Sequence, residues 1–478
     1  MEMEKEVPAR SRLDDLESRR NEIMRRAVGL DYAELADGPI VFDYEGLMSA
    51  TGYSLDQVRR IQHARGVGAT PMLELHRLTK FVRRHAEPGR GARIFVKDEA
   101  ANPSGSFKDR RASLSAHSAA ERGYAGIVAA TSGNYGAAVA SQAAMSGLRA
   151  IVIQEAFDSR WRGQPEIIEK ARKCEALGAE VLQTSVGPEL FMMLLAVLDE
   201  TGYFNASLYT PFSVQGIETL GNEIAEDIRN ATGRDPAAVF CTHAGGGMCT
   251  GVGRGLAAAA ATAVNVIGVS VNLANLHMAS DTDFNLKSFT TGHTGFAMPF
   301  TTWPDRADVP RNAARPLRYL DRFVTVGQGS VFYTTELLAQ CEGLERGPAG
   351  NIALTAALLV AQDLPEDEVV VVSETEYTGA GKTPSSQLNF AIQMGVDVVA
   401  GDGRSELPGT RIDLPLRFAD IVVSDVRLDG LRDSYVDRAL AQLDREPTSE
   451  EMTFLSQDAR LPADYWSRRA RPGEPTPI

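Results

Sequence analysis

Three loops carry the residues best suited to chemistry, and each lies between a short apolar run and an Ala-rich helical stretch. The first, Asn102-Pro-Ser-Gly-Ser-Phe-Lys-Asp-Arg-Arg111, follows ARIFVK (92–97) and puts Lys108 at a helix start. The second, Thr131-Ser-Gly-Asn-Tyr-Gly136, follows GIVAA, and the third, His243-Ala-Gly-Gly-Gly-Met-Cys-Thr-Gly251, follows AAVFCT (237–242). In an open α/β sheet the carboxyl ends of strands are where ligands bind. Gly245, Gly246 and Gly247 let backbone N–H groups approach an anion, and a helix starting near Thr250 adds the positive end of its dipole. A phosphate suits that nest. A dinucleotide suits it less, because Thr250 replaces the third glycine of the fingerprint and the strand ending at Asn272 offers no acid.

A lysine at a strand's carboxyl end, beside cations and a helix N-terminus, can have its pKa lowered and form a Schiff base. Lys108 together with a glycine-built phosphate nest is the minimum equipment for pyridoxal 5′-phosphate. Other motifs fall away. Gly381-Lys382-Thr383 ends like a Walker loop, but the glycine required five residues earlier is Glu376. HExxH, a GxSxG elbow and finger-spaced Cys/His pairs are absent from the sequence. Cys241, His243 and Cys249 read as packing residues at a strand end and helix start, and His277 and His293 as surface or satisfied histidines, so no metal site is expected.

These loops need a scaffold. From Ala92 onward, β-branched runs (92–97, 126–131, 149–154, 179–184, 237–242, 265–271, 322–326, 368–373 and 396–401) alternate with helix candidates such as Asp109–Arg122, Asn134–Ser146, Gln164–Leu177 and Thr250–Ala261. Continuous apolar strands alternating with helices predict an α/β fold with mostly parallel sheets covered on both faces, and the strand number predicts two of them. Residues 1–65 read as charged helices, with a cap at Ser54. Residues 278–318 show no period and read as an ordered insertion, and the ARPGEPTPI tail reads as disordered.

The whole chain sets bounds on partners. It has 478 residues, 44% apolar, and 49 basic against 63 acidic residues give a net charge of −14, which argues against nucleic acid as the main ligand. Four cysteines are no disulfide scaffold, and the sequence has no apolar run of membrane length and no apolar leader after MEMEKEVPAR, so a cytoplasmic setting is expected. Only eight lysines occur, at 5, 80, 97, 108, 170, 173, 287 and 382.

In order along the chain, Gly68-Ala-Thr-Pro71, the Lys108 loop, Ser132-Gly133-Asn134, Gly245–Met248, Glu342-Gly…Gly347-Pro-Ala349 and Thr378-Gly-Ala-Gly381 resemble the fold-type II pyridoxal-phosphate enzymes, the relatives of tryptophan synthase β, threonine synthase and cysteine synthase. The resemblance implies two doubly wound, mostly parallel sheet domains with the active site between them. The larger would take 66–97 and 215–430 with the insertion 278–318, the smaller 98–214, flanked by a helical extension (1–65) and a partly disordered one (431–478). It implies Lys108 as the catalytic, cofactor-linked lysine. Ser132, Gly133, Asn134, Gly245, Gly246, Gly247, Met248, Thr250 and Thr378 would hold the cofactor, and Thr131, Ser132, Asn134 and Tyr135 the substrate. The partner of the ring nitrogen stays open between Thr378 and the carboxylates Glu374 and Glu376.

A narrower resemblance covers residues 15–435. ARIFVKDEAANPSGSFKDRRA, SFTTGHTGF, TWPDRADVPRNAARPLRY and SETEYTGAGK are similar to the β-subunit family of 2-amino-4-oxopentanoate thiolases. It implies a coenzyme A-dependent cleavage of (2R)-2-amino-4-oxopentanoate to acetyl-CoA and D-alanine, or its reverse, as in ornithine degradation. A small α subunit and a homodimer of this chain are the implied partners. Arg306, Arg311, Arg315, Arg318, Arg110 and Arg111 are candidates for a coenzyme A track, with solvated or internally paired arginines as the alternative. The rival function is an eliminating or replacing pyridoxal-phosphate lyase or synthase of the threonine synthase kind.

Overall fold

The computed structural model describes residues 9–131, 133–158, 161–185, 189–272, 311–377, 379 and 381–469. Eleven strands build two sheets: β1 (Met72–Glu74), β2 (Arg93–Asp98), β3 (Gly126–Thr131), β4 (Arg149–Phe157), β5 (Glu180–Ser185), β6 (Phe204–Asn205), β7 (Ala238–Thr242), β8 (Asn265–Val271), β9 (Arg322–Val326), β10 (Val369–Glu374) and β11 (Val423–Val426). The larger sheet runs β11-β9-β8-β7-β10-β2-β1 and the smaller β5-β4-β3-β6. The five inner strands of the larger sheet are parallel, its two edges antiparallel, and the smaller sheet is parallel throughout.

Strand β10 explains why the apolar runs are continuous. Every residue of VVVVSE is buried, and the side-chain period of two sends Val370 and Val372 into one core layer and Val369 and Val371 into the other. Eight of the nine expected runs became strands of these sheets. The ninth, Asp397–Ala400, left them to pair with Arg411–Leu414 in a separate parallel ribbon.

Six helices matter for the site: α1 (Lys108–Glu121), α2 (Asn134–Ser146), α3 (Pro165–Ala176), α4 (Pro211–Thr232), α5 (Gly247–Ala258) and α6 (Asn351–Asp363). Gly216 lets α4 lie directly on α1, since a Cβ there would fall 2.1 Å from the Arg110 carbonyl oxygen. Gln62, from a helix of the N-terminal segment (Leu55–His63), donates to both the Arg110 and Gly216 carbonyls at 3.0 and 2.7 Å. That helix starts in a capping box of Ser54 and Gln57. The leading segment therefore pins the junction that carries Lys108.

The charged C-terminal part folds back as helices Leu428–Leu440, Ser449–Asp458 and Tyr465–Arg469, with Leu431, Val436 and Leu455 in the main core. The final nine residues, expected to be disordered, lie outside the described residues, as does most of the insertion, 278–310. Its end is anchored, with 311–317 buried: Arg315 meets Asp458 at 2.5 Å and the half-buried Arg318 meets it at 3.3 Å. Among the described residues no helix is long and apolar enough to cross a membrane.

Candidate active site

The carboxyl ends of β3, β7 and β10 face one cleft of about 1090 Å³, partly open to solvent. Lys108, Thr131, Gly133, Asn134, Tyr135, Gly245, Gly246, Gly247 and Met248 line it, so eight loop residues and Lys108 from three distant stretches of sequence converge. Ala349 joins them from the expected fifth segment. Thr250 does not line the cleft. Its hydroxyl lies 3.1 Å from the Gly246 carbonyl and accepts from the Arg315 N–H at 3.1 Å, which locks the turn below the glycines. Ser132 and Thr378 lie outside the described residues.

Helix periodicity sorts the Lys-Asp-Arg-Arg run. Positions three apart share a face, so Lys108 and Arg111 both enter the cleft while Asp109 and Arg110 turn away. Asp109 accepts from the Ser104 N–H at 2.6 Å and from Gln142 at 3.1 Å, holding the loop that precedes α1. Arg110 is fully buried, with Glu99 at 2.7 and 2.8 Å and Glu223 at 2.8 and 2.9 Å. Arg110 is thus consumed by structure and is not available to an anionic co-substrate. Arg315 is likewise paired with Asp458, and Arg311 donates to the Pro39 carbonyl at 2.7 Å. Arg306 lies outside the described residues.

Burial pulls the Lys108 amine down to about 7, against the opposing pull of Glu376. Two further lysines stand close to it. Lys382 pairs with Glu376 at 2.9 Å and reaches Asn134 Oδ1 at 3.3 Å, and Lys170 pairs with Glu166 one helical turn away on α3. Burial alone would raise the Glu376 carboxyl, but Lys382, Lys170 and Lys108 outweigh it and hold it ionised. Among the described residues its Oε1 has no hydrogen-bond partner. Glu374, by contrast, does not line the cleft. It packs against Gly350 at the start of α6, and burial raises its carboxyl far above the usual range.

Lys170, Lys382 and Glu166 are residues that sequence reading did not place here, and for the two lysines the one visible signal was the scarcity of that residue type; Arg111, read as a candidate for the coenzyme A track, does enter the cleft. His243 is buried, its ring lies 5.1 Å from that of Phe323, and burial lowers it to about 4. Among the described residues no cluster of His, Cys, Asp or Glu could hold a metal.

The residues fit a phosphorylated aldehyde cofactor. A Cβ at Gly247 would fall 1.9 Å from Arg111 Nη2, and one at Gly245 2.7 Å from the Tyr209 hydroxyl, so glycine alone keeps that cradle open beside polar groups. A lysine with a depressed pKa stands in the same cleft.

Comparison with known proteins agrees. The model of the pyridoxal-phosphate dependent enzyme family matches residues 63–376. A 2-amino-4-ketopentanoate thiolase beta subunit from an unknown prokaryotic organism is 59% identical over 453 residues, covering 95% of this chain and 96% of that protein. The corresponding subunit of Acetoanaerobium sticklandii is 57% identical, covering 94% and 96%. Among solved structures, O-ureido-L-serine synthase aligns at a TM-score of 0.50 and 21% identity over 66% of this chain and 91% of its own, a likeness of fold. The chain belongs to the pyridoxal-phosphate-dependent enzymes of fold-type II and, within them, to the 2-amino-4-ketopentanoate thiolase beta-subunit family.

Proposed function

We propose that this chain is the cofactor-bearing subunit of a thiolase that uses coenzyme A to cleave 2-amino-4-oxopentanoate into acetyl-CoA and alanine, or runs the reverse. Near-full-length identity of 59% to a subunit of that name carries the reading. A small α subunit completes the enzyme, since the relatives are named beta subunits; a pair of copies of this chain within that assembly is part of the same proposal.

Thiolysis requires a thiol to attack the C4 ketone and the C3–C4 bond to break. Pyridoxal phosphate, when bound, supplies the electron sink for the carbon skeleton attached through the substrate amine. The chain's own residues do the rest. Lys108 links the cofactor and, with an amine near pKa 7, takes or returns a proton at the substrate's α-carbon. Gly245–Met248 and the start of α5 hold the phosphate. Asn134, whose Oδ1 accepts from Lys382, would orient the ring of the cofactor, and the N–H groups opening α2 with Thr131 and Tyr135 would hold the substrate carboxylate. Ser132 belongs to the same segment, and Thr378 is one of the three candidates, with Glu374 and Glu376, for the partner of the ring nitrogen. Phe107 and Phe191 exclude water from the cleft wall. The division into a larger unit (66–97 and 215–430) and a smaller one (98–214) is part of this reading.

The test is an assay of the purified chain with its α subunit, coenzyme A and 2-amino-4-oxopentanoate. Acetyl-CoA formed in proportion to alanine supports the thiolase. Release of ammonia and a keto acid without coenzyme A would replace it with an eliminating lyase.

A further inference from the structure

Three cations line the cleft, and two of them face carboxylates: Lys108 feels Glu376, and Lys170 pairs with Glu166. Arg111 is different. It is 5% exposed, and among the described residues its Nε has no hydrogen-bond partner and the one hydrogen bond of its guanidinium runs from Nη1 to the Leu208 carbonyl at 3.3 Å. Phe107, Tyr135 and Tyr209 surround it, and no described carboxylate pairs with it. A buried guanidinium without a counter-ion is costly, so such a group is kept where an anion arrives.

Where it aims is set by Gly247. Arg111 Nη2 lies against the third glycine of the cradle, at the first residue of the 12-residue helix α5. A helix terminus offers about half a positive charge, while a phosphate monoester carries a charge of about −1.5 to −2 near neutrality. Backbone N–H groups alone leave most of that charge unmatched.

We propose that Arg111 is the counter-ion of the cofactor's phosphate, supplying the full positive charge that the glycine cradle lacks. The proposal rests on the chain's use of pyridoxal phosphate. It separates Arg111 from its neighbour Arg110, which is closed inside a structural ion network.

The experiment titrates the cofactor-free full chain with pyridoxal phosphate and, separately, with pyridoxal, which has the aldehyde but no phosphate. Wild type, Arg111→Gln and Arg111→Lys are compared by the absorbance of the lysine-linked form. For Arg111→Gln, affinity for the phosphorylated aldehyde should fall about tenfold or more while that for pyridoxal stays within about twofold. Arg111→Lys should recover part of the loss. In phosphorus NMR the wild-type resonance should stay flat through the region near about pH 6 where the monoester takes its second proton, and the Arg111→Gln resonance should titrate there. An equal fall for both aldehydes would show a merely structural role and overturn the proposal, as would an unchanged affinity for both. A wild-type chain that took up neither aldehyde would overturn the cofactor reading itself, and the proposal with it.

Discussion

Lys382 and Glu376, six residues apart in sequence, form a buried ion pair at 2.9 Å with each side chain 2% exposed. The same carboxylate also offsets the charges of Lys108 and Lys170. One glutamate thus faces three lysines beside the cleft, and Lys170 has a second carboxylate in Glu166.

Removing that charge should be felt at Lys108. Glu376 is the group that raises its amine against burial, so Glu376→Gln should lower the amine further. The pH profile of cofactor capture should move acidward by about one unit. Thr378→Val, tested beside it, should leave that profile in place; a shift in Thr378→Val and none in Glu376→Gln would contradict the electrostatic role of Glu376.

Borohydride reduction of the cofactor-loaded chain, followed by proteolysis and mass spectrometry, should find the label on the Lys108 peptide. The nearby Lys170 and Lys382 are held by carboxylates and should stay unlabelled. Label on either of them would refute the assignment.

Lys108 also links pH to stability in the cofactor-free chain. Its folded pKa of about 7 lies below the ordinary 10.5, so between these values the unfolded chain binds more protons than the folded one. The penalty of burying Lys108 is therefore full below pH 7 and fades as pH rises toward 10.5. Lys108→Met should raise the Tm at neutral pH, with a gain that shrinks in alkali. A gain that grows with pH would contradict this sign.

Arg110 should matter for folding and not for chemistry. Arg110→Met takes the arginine from the buried Glu99 and leaves Glu223 with Lys97 as its remaining cation, which should cost about 3–5 kcal/mol in urea denaturation. Wild-type stability in this variant would mean that the network contributes nothing.

Asp458 ties the end of the insertion to the C-terminal helices through Arg315 and Arg318. Asp458→Ala should destabilise the chain by about 3 kcal/mol or more and speed proteolysis within residues 428–469. An unchanged digestion pattern would show that these helices are held by their apolar contacts alone.

Local pattern was enough for much of this protein. Continuous β-branched and apolar runs between helix candidates marked eight strands of the main sheets, and glycines directly after strands marked Gly133 and Gly245–Gly247, because close backbone approach is a local requirement. The Lys108 loop was legible for the same reason. The fates of adjacent residues were not. Arg110 and Arg111 are alike as letters, yet about 100° of helical rotation sends one to Glu99 and Glu223 and the other to the cleft. Lys170, Lys382 and Glu376 come together because α3 packs on α2 while the segment after β10 pairs with the loop that precedes α1, a choice made by packing across more than two hundred residues of chain. Charge at a site depends on distance in space and on burial, and neither is written in the spacing of residues along the chain.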